Sequence, residues 1–367
     1  MLEAPLAPYL LWAKTRQPAA IDLAGSNLLH CTLDDLPGAR DAVDLSAKND
    51  NGYRPFIDGL AGHYRISPER IVTANGCSGA NFVTAAAVIA AGDDVLIERP
   101  GYDPLIGACL LMGARVRRFD RRFEHRYQID LDELRRQVTS RTRLIVVTTP
   151  HNPSGTVLDR ATLVELGQIA QSVGAFVLAD EVYLDAAALV GDEHGPALSA
   201  AQIDGPFIVT NSLTKSYGLA GLRAGWAIAS PPVASRLRRT RDVIDNAGSA
   251  PADRLAALAV SQHARLATRA RSLLSANLKI AREFFTGEPR LEIAEPPRAS
   301  VTFPRLRGSA DAEPFVRALL DQHGVAVATG HFFDAPAHFR ISLAGRTDDL
   351  VAGLEKIGRV LSQTGRT

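Results

Sequence analysis

The feature that most constrains the fold of this chain is a repeated alternation of short β-branched runs with longer helical segments. The segments between the runs begin at Ser or Asp and end at Gly, which are signals for helix starts and stops. Alternation of this kind is typical of a mainly parallel sheet covered by helices on both faces. The β-branched runs are RIVTANG, DDVLIERP, ARVRRFD, RLIVVTTP, AFVLADEV, PFIVTNSLTK and RAGWAIAS. We therefore predict an α/β fold.

The pattern changes near residue 250, where a long helical stretch without strand signals begins. It is followed by short strand and helix patterns, which are typical of a compact α+β unit. We predict a large α/β domain over residues 40–260. A smaller α+β domain would combine residues 1–39 with residues 261–367.

Composition and charge exclude several classes of function. The net charge is +1, so no global field attracts nucleic acid or an anionic membrane. Cys31, Cys77 and Cys109 are too few and too scattered for a disulfide framework or a zinc site. The first twenty residues contain Glu3 and lack the basic start of a signal peptide. We expect a soluble cytoplasmic protein without a bound metal.

Polar side chains follow four of the predicted strands at their carboxyl ends. The stretches are NGCSG (75–79), HNPSG (151–155), DEVY (180–183) and NSLTKSYGLAGLR (211–223). Each alone is explained by a turn or a helix cap. Because ligands of open α/β sheets bind at the carboxyl ends of the strands, the four together predict one binding site.

Part of this site has the composition of an anion site. Gly76 lets the backbone approach a ligand closely, and the N–H groups up to Ser78 point outward at the start of a helix. Ser212 and Arg223 add a hydroxyl and a cation, which suits a phosphate. The glycine spacings of a P-loop and of a dinucleotide site are absent from the sequence.

A lysine lies among these groups. Lys215, held near Arg223 and partly desolvated, is expected to have a lowered pKa. A neutral lysine amine forms a Schiff base with a phosphate-bearing aldehyde. Asp180 is placed to keep a pyridine nitrogen protonated, and Tyr183 and Asn152 to bind a phenolic oxygen. Such a ring is an electron sink for a carbanion at the α-carbon of an amino acid.

These stretches resemble the class I/II aminotransferase family of pyridoxal-phosphate enzymes, which have the aspartate-aminotransferase fold. The resemblance covers roughly residues 50 to 345, with the motifs in the family's order. The motifs are GYRPFIDGL, TANGCSGANF, RPGYDPL, VVTTPHNPSGTV, LADEVY, SLTKSYGLAGLRAGW and FRISLA. The resemblance implies pyridoxal 5'-phosphate as cofactor, an amino acid and a 2-oxo acid as substrates, and a homodimer with shared active sites.

The resemblance also implies the roles of individual residues. Lys215 would be the Schiff-base lysine and general base, Asp180 the partner of the pyridinium nitrogen, and Tyr183 a ligand of the 3-hydroxyl oxygen. Arg340, with Asn152, would bind the substrate α-carboxylate. The implied cofactor-binding residues are Tyr53, Gly76, Cys77, Ser78, Tyr102, Asn152, Asp180, Tyr183, Ser212, Lys215 and Arg223.

Three of these implied contacts concern the faces of the ring and the partner subunit. Tyr102 would stack on one face of the ring and Val182 would cover the other. Tyr53 would reach the cofactor phosphate of the partner subunit. His30 and His331 lie near the expected substrate pocket, and we interpret them as solvated.

Two departures from the family pattern leave alternatives open. The segment around Tyr53 has one more residue before its glycine than many relatives. Ala299 and Ser300 stand where many relatives have a Gly-Gly pair, so a narrower substrate pocket is one expectation. A lyase or cyclase reaction at the same site is therefore the alternative to transamination. We do not expect a regulator, because the chain has no room for a helix-turn-helix domain before residue 20 or after residue 360.

Overall fold

The computed structural model describes residues 7–45, 49, 51–191 and 197–364. Residues 1–6, part of the segment that we predicted not to be a signal peptide, lie outside the described residues. Within those ranges, no helix is both long and apolar enough to cross a membrane.

Strands occur in both halves of the chain and are numbered here in chain order. They are β1 (Ile21–Asp22), β2 (Ile71–Asn75), β3 (Asp94–Arg99), β4 (Arg115–Asp120), β5 (Thr142–Thr148), β6 (Phe176–Asp180), β7 (Phe207–Ser212), β8 (Ala224–Ile228), β9 (Leu291–Glu292), β10 (Val301–Thr302), β11 (Arg305–Leu306), β12 (Val325–Ala326), β13 (Ala328–Thr329) and β14 (Phe339–Ser342).

Helices connect most of these strands. They are α1 (Pro8–Thr15), α2 (Ala39–Ala42), α3 (Arg54–Tyr64), α4 (Gly76–Val88), α5 (Asp103–Leu111), α6 (Leu131–Gln137), α7 (Arg160–Ser172), α8 (Leu184–Val190), α9 (Leu213–Tyr217), α10 (Pro231–Ile244), α11 (Ala250–Ser261), α12 (His263–Gly287), α13 (Glu313–His323) and α14 (Thr347–Thr364).

Among the described residues, the central sheet has seven strands in the order β2-β8-β7-β6-β5-β3-β4. Strand β8 runs antiparallel to both of its neighbours, and the other pairs are parallel. The predicted α/β fold with a mainly parallel sheet is thus confirmed. Strands β2, β5, β6 and β7 consequently end at the same edge of the sheet.

Both faces of this sheet are covered. Leu144 and Val146 of β5 pack into one apolar layer, and Ile145 and Val147 pack into the other. Side chains of a strand alternate between faces, so a strand buried on both sides reads as a continuous apolar run. This explains why the β5 run contains no polar residue between Leu144 and Val147.

The residues after α12, together with β1 near the N-terminus, build a second set of small sheets. Strands β10 and β13 flank β14 in antiparallel pairs, and β1 pairs in parallel with β12. Ile21 and Leu23 share an apolar cluster with Phe315, Ile341 and Leu354. The N-terminal segment therefore packs with residues more than 290 positions later in the chain.

The long helical stretch differs in one respect from the sequence pattern. It is divided into α11 and α12 at Gln262, whose backbone (φ −102°, ψ 22°) leaves the helical geometry. The Gln262 side-chain amide donates to the carbonyl oxygen of Pro37 at 2.8 Å. This contact with a distant loop is invisible to helical periodicity.

Candidate active site

A cavity of about 450 Å³ lies where β2, β5, β6 and β7 end. Nine of the residues predicted for the site line it, together with Val182. They are Cys77, Ser78, Tyr102, Asn152, Asp180, Tyr183, Ser212, Lys215 and Arg223.

One end of the cavity is an anion cradle formed by the turn from β2 into α4. Gly76 begins α4 with φ +72°, a conformation that L side chains rarely adopt. A Cβ on Gly76 would collide with the guanidinium of Arg223, and a Cβ on Gly225 would overlap the backbone of Gly76. The two glycines thus allow this close approach, and Ser78 is exposed in the first turn of the helix.

The short helix α9 holds the lysine at the centre of the cavity. Ser212 caps the helix by accepting from the Thr214 N–H at 3.4 Å, and Gly218 ends it with φ +74°. The Nζ of Lys215 donates to Ser26 Oγ at 2.9 Å and to Asn27 Oδ1 at 2.7 Å.

Burial lowers the pKa of Lys215 to about 7, and the positive charge of Arg340 adds to this effect. An amine with this pKa is neutral in a large fraction of molecules at pH 7. The lowered pKa of Lys215 that we predicted from partial desolvation and from Arg223 is present in the structure. Burial is its largest cause, and Arg223 contributes less than Arg340.

Asp180 lies at the bottom of the cavity inside a hydrogen-bond network. Its Oδ2 accepts from Asn81 Nδ2 at 2.8 Å, and its Oδ1 accepts from the Val182 N–H at 3.1 Å and from Cys77 Sγ at 3.4 Å. The Thr210 hydroxyl donates to Asn81 Oδ1 at 2.6 Å and thereby fixes the orientation of that amide. Burial raises the pKa of Asp180, and the donors oppose this shift.

Cys77 lies between the anion cradle and Asp180. Burial, followed by the negative charge of Asp180, raises the pKa of its thiol well above the usual value. Cys77 is therefore a neutral thiol at physiological pH, and it donates a weak hydrogen bond to Asp180.

A second cation lies next to the cavity, in contact with the lining residue Asn152. Arg340 is fully buried and donates from Nη1 to Asn152 Oδ1 at 2.8 Å. Its Nη2 donates to Tyr9 OH at 2.8 Å and to the Ala24 carbonyl oxygen at 2.9 Å. Its Nε has no hydrogen-bond partner among the described residues. Such an orphaned buried donor is typical of a binding site without its ligand.

Two tyrosines and one valine line further parts of the cavity wall. Tyr102 precedes α5 and Val182 follows β6, and both line the cavity. The ring of Tyr183 lies 5.9 Å from Lys215 Nζ, and burial raises the Tyr183 pKa to about 12. Tyr183 therefore keeps its phenol proton at neutral pH.

Some predicted positions are not part of the cavity wall. Gly76 and Arg340 are not lining residues, although they adjoin the lining residues Arg223 and Asn152. The Tyr53 ring packs under the guanidinium of Arg254 at 4.8 Å, outside the cavity of its own chain. Ala299 and Ser300 are buried but do not belong to the cavity lining. His331 is exposed and pairs with Asp311 at 2.9 Å, so it does not face the site.

Several lining residues were not anticipated from the sequence. Asn81 follows Cys77 by one helical turn, so helical spacing would have placed both on one face of α4. Asn27 lines the cavity, and Tyr9 and Ser26 contact Arg340 and Lys215 without lining it; all three come from the N-terminal segment and carry no motif. The further unanticipated members of the cavity wall are Leu10, Lys14, Thr148, Thr214 and Ala220.

Comparison with known proteins agrees with this geometry. Residues 50–356 match the family described as aminotransferase class I and II. Capreomycidine synthase from Streptomyces vinaceus is 31% identical in an alignment that covers 99% of this chain and 95% of that protein. The arginine–pyruvate transaminase of Pseudomonas aeruginosa is 28% identical, covering 76% of this chain and 71% of that protein.

Solved structures give the same result for the fold. A PLP-dependent aminotransferase from Streptococcus suis superimposes with a TM-score of 0.91 at 29% identity, covering 99% of both chains. Aspartate aminotransferase from Thermotoga maritima shares the fold with a TM-score of 0.84 at 21% identity, covering 96% of this chain and 95% of that chain. The chain thus belongs to the aminotransferase class I and II family of pyridoxal-phosphate enzymes.

Proposed function

We propose that this enzyme moves an α-amino group between an amino acid and a 2-oxo acid, with Lys215 as the residue that binds the cofactor aldehyde. One observation carries the proposal: a lysine with a pKa of about 7 lies in one cavity with Asp180 and Arg223, and Arg340 donates to Asn152 of the same cavity. The two guanidiniums provide places for two anions, the phosphate of the cofactor and the carboxylate of the substrate.

The residues present fit pyridoxal 5'-phosphate. The cradle of Gly76, Ser78, Ser212 and Arg223 would hold the phosphate, because a helix N-terminus and a guanidinium both favour an anion. Asp180, desolvated and held by three donors, would pair with the pyridine nitrogen. Cys77, which contacts Asp180, is a neutral thiol and does not compete with Asp180 for the protonated pyridine nitrogen.

The rest of the ring would be held by the cavity walls. Tyr102 and Val182 would cover its two faces, and Asn152 with the protonated phenol of Tyr183 would bind the 3-hydroxyl oxygen. When bound, the cofactor withdraws electrons from the substrate α-carbon.

Lys215 then has a second task as a base. An amine with a pKa near 7 suits proton transfer at neutral pH, since a general base works best when its pKa lies near the operating pH. Released from the cofactor, its Nζ would take the proton from the substrate α-carbon. Catalysis would thus rest on Lys215, with Asp180 and Tyr183 supporting the cofactor.

Arg340 would bind the substrate α-carboxylate. Its planar guanidinium is rigid and matches a carboxylate in a fork of two hydrogen bonds. Asn152 accepts from its Nη1 and so fixes the plane of the fork.

We further propose a homodimer in which Tyr53 reaches the cofactor phosphate of the partner subunit. The supporting observation is that the Tyr53 ring lies outside the cavity of its own chain. A fully active monomer by light scattering would contradict this part.

Cytoplasmic residence is also proposed, from composition alone, and a protein found in a secreted fraction would contradict it.

The proposed division into a cofactor-binding domain (residues 40–260) and a smaller domain (residues 1–39 with 261–367) is supported by the pairing of β1 with β12. The apolar cluster around Ile341 supports it as well, because its buried members come only from the two segments of the smaller domain. Limited proteolysis that cuts first inside the central sheet, instead of near residue 260, would contradict the division.

The experiment that tests the function is reduction of the cofactor-loaded protein with borohydride, followed by peptide mapping. We expect a pyridoxyl group on the peptide that contains Lys215. Lys14 also lines the cavity, so Lys14→Ala is the matched control and should keep the adduct, whereas Lys215→Ala should lose it. An adduct on Lys14, or none, would sink the assignment.

A lyase or cyclase reaction is the second candidate, and the similarity to capreomycidine synthase over 99% of the chain favours keeping it. Mixing the loaded enzyme with a panel of amino acids separates the two. In transamination, the pyridoxamine form of the cofactor and a 2-oxo acid accumulate together. In a lyase or cyclase reaction, a product appears while the aldehyde form persists.

A further inference from the structure

Tyr9 contacts Arg340, the residue proposed to bind the substrate carboxylate, and does not itself line the cavity. It lies in the first turn of α1 and is buried. Its backbone N–H donates to Asp103 Oδ2 at 2.7 Å, and its hydroxyl donates to the Ala24 carbonyl oxygen at 2.9 Å. The same hydroxyl oxygen accepts from Arg340 Nη2 at 2.8 Å.

The hydrogen bond from Arg340 Nη2 to the Tyr9 hydroxyl affects how Arg340 can bind a carboxylate. A carboxylate can fork onto it through the Nε–Nη2 edge or the Nη1–Nη2 edge, and both edges include Nη2. In Arg340 the two hydrogens of Nη2 are engaged by Tyr9 OH and by the Ala24 carbonyl oxygen. A forked carboxylate therefore requires one of these acceptors to leave, although Nε is ready to donate.

We propose that the Tyr9 hydroxyl is an internal competitor for the substrate carboxylate, which displaces it from Arg340 Nη2 and releases the start of α1. Ala24 is a backbone acceptor beside β1. The Tyr9 ring packs against Tyr102, Phe332 and Phe333, so its hydroxyl leaves Nη2 only when the first turn of α1 shifts. The bond from the guanidinium to Tyr9 is already charge-assisted, but a carboxylate adds a full negative charge and a second bond to Nε, which has no partner among the described residues. The exchange is thus favourable for a carboxylate.

The consequence is that substrates with and without a carboxylate leave α1 in different positions. A primary amine without a carboxylate has no group that competes for Nη2, so it leaves Tyr9 in place. Because Leu10 and Lys14 of α1 also line the cavity, release of Tyr9 changes the wall that faces the substrate side chain. Carboxylate binding and the shape of the side-chain pocket are in this way coupled.

The first test is kinetic and rests on the proposed function. In Tyr9→Phe the competitor is gone, so the half-saturating concentration of an amino acid should fall about tenfold, which corresponds to about 1.4 kcal/mol. The rate at saturation should stay within about twofold, since Tyr9 does not touch the reacting atoms. Trp12→Phe is the matched control: Trp12 lies on the same helix and packs on Phe332 at 5.3 Å, away from Arg340.

An unchanged or raised half-saturating concentration in Tyr9→Phe would overturn the proposal. An equal fall in Trp12→Phe would also overturn it, because the effect would then come from loosening α1 and not from Arg340. If no amino acid converts the cofactor in the wild-type enzyme, the proposed function fails instead, and the two failures are distinguishable.

The second test follows α1 directly. The chain has two tryptophans, and Trp226 is 1% exposed, so acrylamide quenching reports mainly on the half-buried Trp12. The probes are 2-methylalanine, which has no α-proton, and isopropylamine, the same amine without the carboxylate. Both are added at concentrations at which the cofactor absorbance shows them bound. Quenching should rise with 2-methylalanine only; equal responses to both would contradict carboxylate-driven release.

Discussion

Replacing Gly76 with alanine tests whether the anion cradle is built by backbone geometry. Gly76 has φ +72°, and a Cβ there would collide with the guanidinium of Arg223. The left-handed conformation alone costs a residue with a Cβ about 1–2 kcal/mol. The collision adds a second effect, because the flexible end of Arg223 moves more easily than the backbone of the sheet.

The matched control is Gly174→Ala. Gly174 has φ +71°, nearly the same conformation, and a Cβ there meets no atom within 4 Å. It follows α7 on the surface, far from the cavity. Both substitutions should therefore lower the free energy of unfolding by a similar amount, which urea denaturation of the cofactor-free proteins measures.

The two variants should differ in cofactor affinity. Displacing Arg223 removes hydrogen bonds to a charged phosphate, which contribute about 1.5–3 kcal/mol. The dissociation constant of pyridoxal 5'-phosphate should therefore rise about ten- to a hundredfold in Gly76→Ala, measured by absorbance titration of the cofactor-free protein. Gly174→Ala should bind as the wild type does. If the two variants bind the cofactor within about twofold of each other, the reasoning about the cradle is wrong.

Two further predictions concern the centre of the site. Because the pKa of Lys215 is lowered to about 7, the rate at which the cofactor-free enzyme binds the cofactor should rise with pH, with a midpoint near pH 7. Stopped-flow absorbance measures this rate. Arg340→Met removes a neighbouring positive charge and should move the midpoint to higher pH. A wild-type midpoint near 10 would contradict the buried amine. Between about pH 7 and the ordinary lysine pKa the unfolded chain binds more protons, so this group should also make the free energy of unfolding increase with pH. Asn81→Leu removes the hydrogen-bond partner of Asp180 Oδ2 and of the Thr210 hydroxyl. It should lower the free energy of unfolding, measured by urea denaturation, by about 2–4 kcal/mol. A loss below about 0.5 kcal/mol would show that the network does not stabilise the fold.

Local sequence was a good guide to the large sheet and to the turns at its edge. Each predicted β-branched run contains a strand of the central sheet. The inner strands such as β5 are continuous apolar runs because both of their faces are buried, whereas β4 at the edge carries three arginines. Helix starts were equally readable: Asp130 and Asp159 cap α6 and α7 through the N–H groups of Glu133 and Thr162. The break at Gln262 was not readable, because a distant carbonyl at Pro37 holds it.

The sequence by itself determined the strand ends that carry Lys215, Asp180 and the glycine turn at Gly76, because each depends on residues that are neighbours along the chain. Only the tertiary structure decided what surrounds them. It brings Tyr9 to Arg340, 331 positions away, and Ser26 to Lys215, 189 positions away. The physical reason is that a hydrogen bond between distant residues depends on how two packed layers meet, and no periodicity along the chain records that.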